Sequence, residues 1–187
     1  GKTMASDTAL FLARLLRNPR RVSAIAPSSP FLARAMAAGL GPHTGRVVEF
    51  GPGTGSLTRA ILARGVAPGD LALFELDGRF AERLRADFPG VTVRNEPADA
   101  AAALVPPGVG AVVSGLPLLS MPGPVRAAIA RAAFAILAPG APFVQFTYGP
   151  RPPLTDDIVA DLGLAVETGP KVWANLPPAR VYRFRRG

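Results

Sequence analysis

A chain of 187 residues with no cysteine and one histidine, His43, can bury one full core, and it has no route to a disulfide, a thiolate nucleophile or a Cys/His zinc site. Its net charge of +8 points to an anionic partner, but unevenly: residues 1–46 carry seven basic side chains against Asp7 alone, residues 47–150 eight against eight, and residues 151–187 six against four. The long uncharged stretches 100–125 and 132–150 contain five and three prolines, so neither can form the continuous apolar helix of ~20 residues that crosses a bilayer.

In chain order, residues 1–45 read as two helices ahead of the main unit. The first spans 7–18 and is interrupted by Pro19. Phe11, Leu12, Leu15 and Leu16 fall on one side of it, Arg14 and Arg17 on the other, and Leu10 breaks the pattern. Arg20 and Arg21 follow, which is not the charge order of a signal peptide. Such a helix suits either the surface of an anionic bilayer or a packed position on the domain. The second is capped by Ser29, has Pro30 in its first turn and ends at Gly39.

From residue 46 onward, apolar β-rich runs alternate with helical patterns, the signature of an α/β unit covering 46–187. Strands are expected at 46–50, 70–76, 91–95, 111–114 and 142–148, then at 165–172 and 179–185. Helices are expected at 56–64, 79–88, 124–138 and 155–162. Near-continuous apolar strands imply helices on both sheet faces. The last two strands leave no room for a helix between them and should form an antiparallel hairpin at one edge. The expectation is a seven-stranded, mostly parallel sheet.

The stretch "VVEFGPGTGSLTRAIL", residues 47–62, sets Glu49 and then Gly51, Gly53 and Gly55 between a strand and a helix. Glycines there let the backbone approach a ligand closely, at the N-terminus of a helix that begins with Ser56 and Leu57, the candidate ligand contacts of its first turn. The ligand expected there is a nucleotide or nucleoside-like molecule; a dinucleotide fingerprint would need glycine where Ser56 stands, and the spacing fits G-x-G-x-G instead. "LALFELDGRF" places Glu75 about twenty residues further on, where an acid can hold two ribose hydroxyls. Asp77 sits where it would cap the next helix. "NEPADA" supplies Ala98 and Asp99 after the third strand.

Taken in this order, the three features resemble the cofactor motifs of class I S-adenosylmethionine-dependent methyltransferases, with a Rossmann-like fold. The resemblance implies that Glu49 faces the methionine moiety, that Glu75 and Leu76 hold the ribose, that Ala98 and Asp99 lie near the adenine, and that S-adenosylhomocysteine leaves as product. The fourth strand ends "VVSGLPLLS", with Ser114, Pro117 and Leu118 where amino-methyltransferases of nucleobases typically carry Asn or Asp, a proline and an aromatic. The "GPGTGSLT" run is shared with rRNA adenine N6-dimethyltransferases, the alternative reading, but the missing Asn and aromatic argue against it.

"SAIAPSSPFLARAM", "VSGLPLLSMP", "VQFTYGPRPP" and "VWANLPPARVYRFRR" are similar, together with the cofactor motifs, to bacterial phospholipid N-methyltransferases. That resemblance implies stepwise N-methylation of phosphatidylethanolamine, through mono- and dimethyl intermediates, to phosphatidylcholine. It also implies a monomer in the cytoplasm, held peripherally at the inner face of the membrane by anionic lipids, with no nucleic acid partner and no metal. Tyr148 is the candidate to hold the amine and face the growing methylammonium, with Ser114 and Gly115 orienting the same nitrogen. Ser28, Ser29 and Arg151, with Arg14, Arg17, Arg20 and Arg21, are the candidate substrate and membrane contacts.

Overall fold

In the computed structural model, which describes residues 29–187, the sheet grows outward from a strand that is buried at every position, β1 (Val47–Phe50). The expected first helix, with Arg14, Arg17, Arg20 and Arg21, lies outside the described residues, as does Ser28. The description begins at Ser29, whose Oγ accepts the Leu32 N–H at 3.1 Å and caps α1 (Pro30–Ala37). Leu32, Ala33, Met36 and Ala37 form the buried side of this helix, packed with the sheet and with α2 (Ser56–Ala63).

The other strands are β2 (Leu71–Phe74), β3 (Thr92–Arg94), β4 (Ala111–Ser114), β5 (Phe143–Thr147), β6 (Leu164–Val172) and β7 (Ala179–Arg186). Their order across the sheet is β3-β2-β1-β4-β5-β7-β6. β1 to β5 are parallel, and β7 runs antiparallel to both β5 and β6. The seven-stranded, mostly parallel sheet with its C-terminal hairpin is therefore as expected.

α3 (Gly78–Asp87), α4 (Ala101–Leu104), α5 (Gly123–Ile136) and α6 (Asp156–Leu162) complete the described helices. One face of the sheet packs Phe50, Phe74, Phe143 and Phe184 with Ile129, Ala133 and Ile158 of α5 and α6. The other packs Val47, Leu73 and Val113 with α1, with Leu57 and Ile61 of α2, and with Leu84 of α3. Burial of both faces explains why β1, β4 and β5 contain hardly any exposed position.

Boundaries shift where the ladder stops. β2 ends at Phe74 rather than 76, because the chain turns at Glu75, and residues 68–70 form a 3₁₀ turn instead of extending the strand. β3 is shortened to three residues at the sheet edge, and Tyr148 lies just past β5. Two elements went unseen in the uncharged run: α4, and a 3₁₀ turn at Leu118–Ser120. Alanine-rich and proline-rich segments carry too little periodicity to show them.

Because the chain passes from β1 to β2 and β3 on one side, then to β4 and β5 on the other, strand order reverses between β1 and β4. The carboxyl ends of strands at such a reversal open into a crevice. Phe50 pairs with both Phe74 and Ser114, so β1, β2 and β4 end level at that crevice.

Candidate functional site

The glycines after β1 have separate jobs. Gly51 (φ +65°) lies so close to the turn after β4 that a Cβ on it would stand 2.6 Å from Leu116 Cδ2. A Cβ on Gly115, across the gap, would meet the Gly51 carbonyl oxygen at 3.0 Å. Gly55 (φ +91°) is pressed against Phe88, where a Cβ would come within 2.6 Å of the ring. Gly53 (φ +55°) differs: a Cβ there would meet nothing within 4 Å. Two glycines thus allow close protein packing, while the middle one bares its backbone to open space, as a cradle for a ligand requires.

Two buried acids flank this loop. Glu75, 7% exposed, accepts the Gly53 N–H at 2.9 Å on Oε1 and the Asp77 N–H at 3.0 Å on Oε2. An ionised carboxylate has about four acceptor sites, so each oxygen keeps one for a further donor, such as a ribose hydroxyl. Burial raises the Glu75 pKa, and the two N–H donors oppose that rise. Asn95 fixes the same turn by donating from Nδ2 to the Glu75 and Leu76 carbonyls at 3.0 and 2.9 Å. Asp77 caps α3 as expected, accepting from the Arg79 and Phe80 N–H groups.

Glu49 is fully buried. Its Oε1 accepts the Thr58 hydroxyl at 2.6 Å, and Oε2 has no hydrogen-bond partner among the described residues. Burial pushes its pKa up to about 8, with Thr58 opposing the rise and Glu75 adding to it. A cationic or donor group of a ligand would suit that second oxygen.

Of the remaining candidates, Ser56 opens α2, whereas the Leu57 side chain faces the core and leaves only its backbone for a ligand. Leu76 is half-buried against the α5-side core, and Ala98 and Asp99 begin a 3₁₀ turn after β3. Ser114 is fully buried, its Oγ accepting the Leu116 N–H at 3.2 Å. The hydroxyl expected to orient a substrate nitrogen is thus turned into the loop's own hydrogen bonding. Arg151 is exposed.

Tyr148 is half-buried beyond β5, edge-on to Phe146 with centroids 5.1 Å apart, with the Asn175 side chain beside its hydroxyl. Burial raises its pKa, so it is a neutral phenol near pH 7. Asn175, 3% exposed, also accepts the Ser29 N–H at 3.0 Å. Ser29, expected at the substrate, therefore joins the start of α1 to the β6–β7 connection.

Sequence reasoning missed Gln145, Thr58, Asn95 and Asn175. Gln145 is fully buried on β5 and donates from Nε2 to the Leu116 carbonyl at 2.7 Å, pinning the turn after β4. A lone amide inside the apolar run "PFVQFTY" was the available signal. Nothing in sequence marked Asn175.

No family model matches the chain. It is 32% identical over 152 residues to the ornithine lipid N-methyltransferase of Singulisphaera acidiphila, an alignment covering 77% of this chain and 79% of that protein. Among solved structures, the glycopeptide N-methyltransferase MtfA in complex with S-adenosylmethionine matches with a TM-score of 0.65 at 18% identity, over 84% of this chain and 94% of that one. TrmN from Thermus thermophilus matches at 0.63 and 19%, over 84% of this chain and 49% of TrmN, so this chain spans about half of TrmN. The 23S rRNA methyltransferase ErmE matches at 0.59 and 23%, over 83% of this chain and 67% of ErmE. At such identities the structural likeness is one of fold alone. The sequence match over most of both chains goes further, and with the glycine cradle between two buried acids it places this chain in the ornithine lipid N-methyltransferase family, S-adenosylmethionine-dependent enzymes of the class I methyltransferase fold.

Proposed function

We propose that this methyltransferase acts on the amine headgroup of a membrane lipid, converting phosphatidylethanolamine through its mono- and dimethyl forms to phosphatidylcholine while peripherally bound to the inner face of the membrane. The observation that carries the lipid class is the identity to a lipid N-methyltransferase across most of the chain. The phospholipid headgroup rests on the resemblance carried by the Ala26 to Pro30 stretch and the Ser114 to Leu119 run.

Bound S-adenosylmethionine supplies an electrophilic methyl group on its sulfonium. Glu75, with acceptor capacity left on its carboxylate, would hold the ribose hydroxyls, the backbone at Gly53 would lie against the cofactor, and Glu49, whose Oε2 has no partner among the described residues, would meet its methionine end. An amine must be neutral to attack, and the chain's one histidine is not placed to make it so: His43 precedes β1 and hence lies at the opposite end of the strands from the crevice. The chain therefore works by positioning and by excluding water. The Tyr148 hydroxyl accepts the amine N–H, and its ring faces the methylammonium as charge builds.

A second headgroup has a specific observation behind it. The Singulisphaera relative is named for ornithine lipid, whose amine is also attached to a membrane-resident molecule. Radiolabelled cofactor incubated with vesicles containing phosphatidylethanolamine, or with vesicles containing ornithine lipid, separates the two once lipid products are resolved. Label in the mono-, di- and trimethyl phospholipids supports the proposal. Label only in ornithine lipid replaces the headgroup, and label only in added ribosomal RNA overturns the lipid reading.

A further inference from the structure

The β6–β7 connection stands at the functional edge of the sheet. Thr147, the last residue of β5, pairs with Arg180, and Ala179 pairs with Val172, so residues 173–178 project past the strand ends that border the crevice. This tip is held from inside. Asn175 accepts the Ser29 N–H and donates to the Pro177 carbonyl at 2.8 Å, and its side chain lies beside the Tyr148 hydroxyl. While its polar residue is buried, its large apolar ones face out: Trp173 is 71% exposed and Leu176 is 86% exposed. Phe31, two residues from the Ser29 tether, is exposed as well.

The surroundings are basic. Lys171, near the end of β6, is paired in the ladder with Arg180, near the start of β7, and the sequence holds no acid between them. The Lys171 ammonium lies 4.3 Å from the Trp173 ring centroid, and Arg34 lies over the Phe31 ring. Three apolar side chains offer a few hundred Å² at most, far short of the ~800 Å² per partner of a stable protein interface. A tryptophan and a leucine on a held tip, ringed by cations, match the apolar boundary and anionic surface of a bilayer instead.

We propose that the β6–β7 tip is the membrane-docking element of this enzyme, with Trp173 and Leu176 entering the headgroup–acyl boundary of an anionic bilayer and Lys171 and Arg180 lying among its phosphates. The inference rests on the aminolipid reading and adds to it how the substrate is reached. The tip stands at the end of β5, where Tyr148 follows, so docking there brings the lipid amine to the crevice without lifting the lipid from the membrane.

Trp173 is the only tryptophan in the chain, which makes the unaltered protein its own probe. With vesicles of phosphatidylglycerol and phosphatidylcholine, its emission should shift to the blue, be quenched by lipids brominated on the acyl chains, and revert in high salt. Trp173→Ala with Leu176→Ala should lower co-sedimentation with these vesicles about tenfold, and lower the ratio of turnover in vesicles to turnover in detergent micelles by a similar factor. Its melting temperature and cofactor affinity should stay near wild type. Vesicle binding with an unshifted, unquenched emission overturns the proposal. An emission already blue in buffer does so too, since the tip would then be covered by residues 1–28 or by another protein. Failure of the underlying reading looks different: no lipid amine is methylated in vesicles or in micelles, whatever Trp173 reports.

Discussion

The Gly53 N–H donates to Glu75 Oε1 at 2.9 Å, joining the loop after β1 to the turn after β2 across 22 positions of sequence. The same carboxylate receives the Asp77 N–H, so it organises the crevice before any ligand arrives. The acid is thus a scaffold of the crevice, and under the proposed function it would read the ligand as well.

Replacing Glu75 should therefore reveal both roles. Glu75→Gln keeps the shape but leaves one N–H without an acceptor and removes charge from the hydrogen bonds, each worth roughly 1.5–3 kcal/mol when charge-assisted. We expect S-adenosylhomocysteine affinity, measured by calorimetric titration, to fall at least about tenfold, with a lower melting temperature. Unchanged affinity in a folded variant would remove Glu75 from the cofactor site.

The glycines should separate by phenotype. Gly53→Ala meets no neighbour, so its fold should lose only the roughly 1–2 kcal/mol of a left-handed non-glycine residue, while cofactor affinity drops because the methyl fills the cradle. Gly55→Ala drives a methyl into the Phe88 ring, which is buried and covered by Arg59, so stability should suffer first. Thermal melts paired with cofactor titrations test the contrast. The opposite ranking would mean that Gly53 faces no ligand.

Glu49 should make stability depend on pH. Its folded pKa of about 8 lies above the ordinary 4.5, so between these values the folded chain holds a proton that the unfolded chain has released. Its contribution is full below pH 4.5 and is lost as pH rises through about 8. Glu49→Gln cannot ionise, so denaturant midpoints should show it gaining on wild type with rising pH across that window. Parallel pH profiles for the two proteins would mean that Glu49 is ionised in the fold.

Tyr148 should be read through a pair of variants. Tyr148→Phe keeps the edge-on contact with Phe146 and loses the hydroxyl, whereas Tyr148→Ala loses both. If the ring faces the methylammonium, the alanine variant should be roughly tenfold slower than the phenylalanine variant in the second and third methylations. Similar, near-wild-type rates for both would make Tyr148 a packing residue.

The local pattern of residues was enough to set the sheet, its parallel strands, its terminal hairpin and the glycine cradle, because each depends on short-range chemistry. Buried apolar strands, caps such as Ser29 and Asp77, and glycines held at positive φ are requirements met within a few residues. The pairing of Glu75 with Gly53, of Gln145 with the Leu116 carbonyl, and of Asn175 with Ser29 was decided only by tertiary structure. These contacts join residues up to 146 positions apart, and no periodicity or propensity records which distant strand end a polar side chain will reach. The same limit hid the burial of Ser114 and the outward Trp173 and Leu176, since whether a side chain faces core or solvent beyond a strand end depends on what the rest of the chain packs against it.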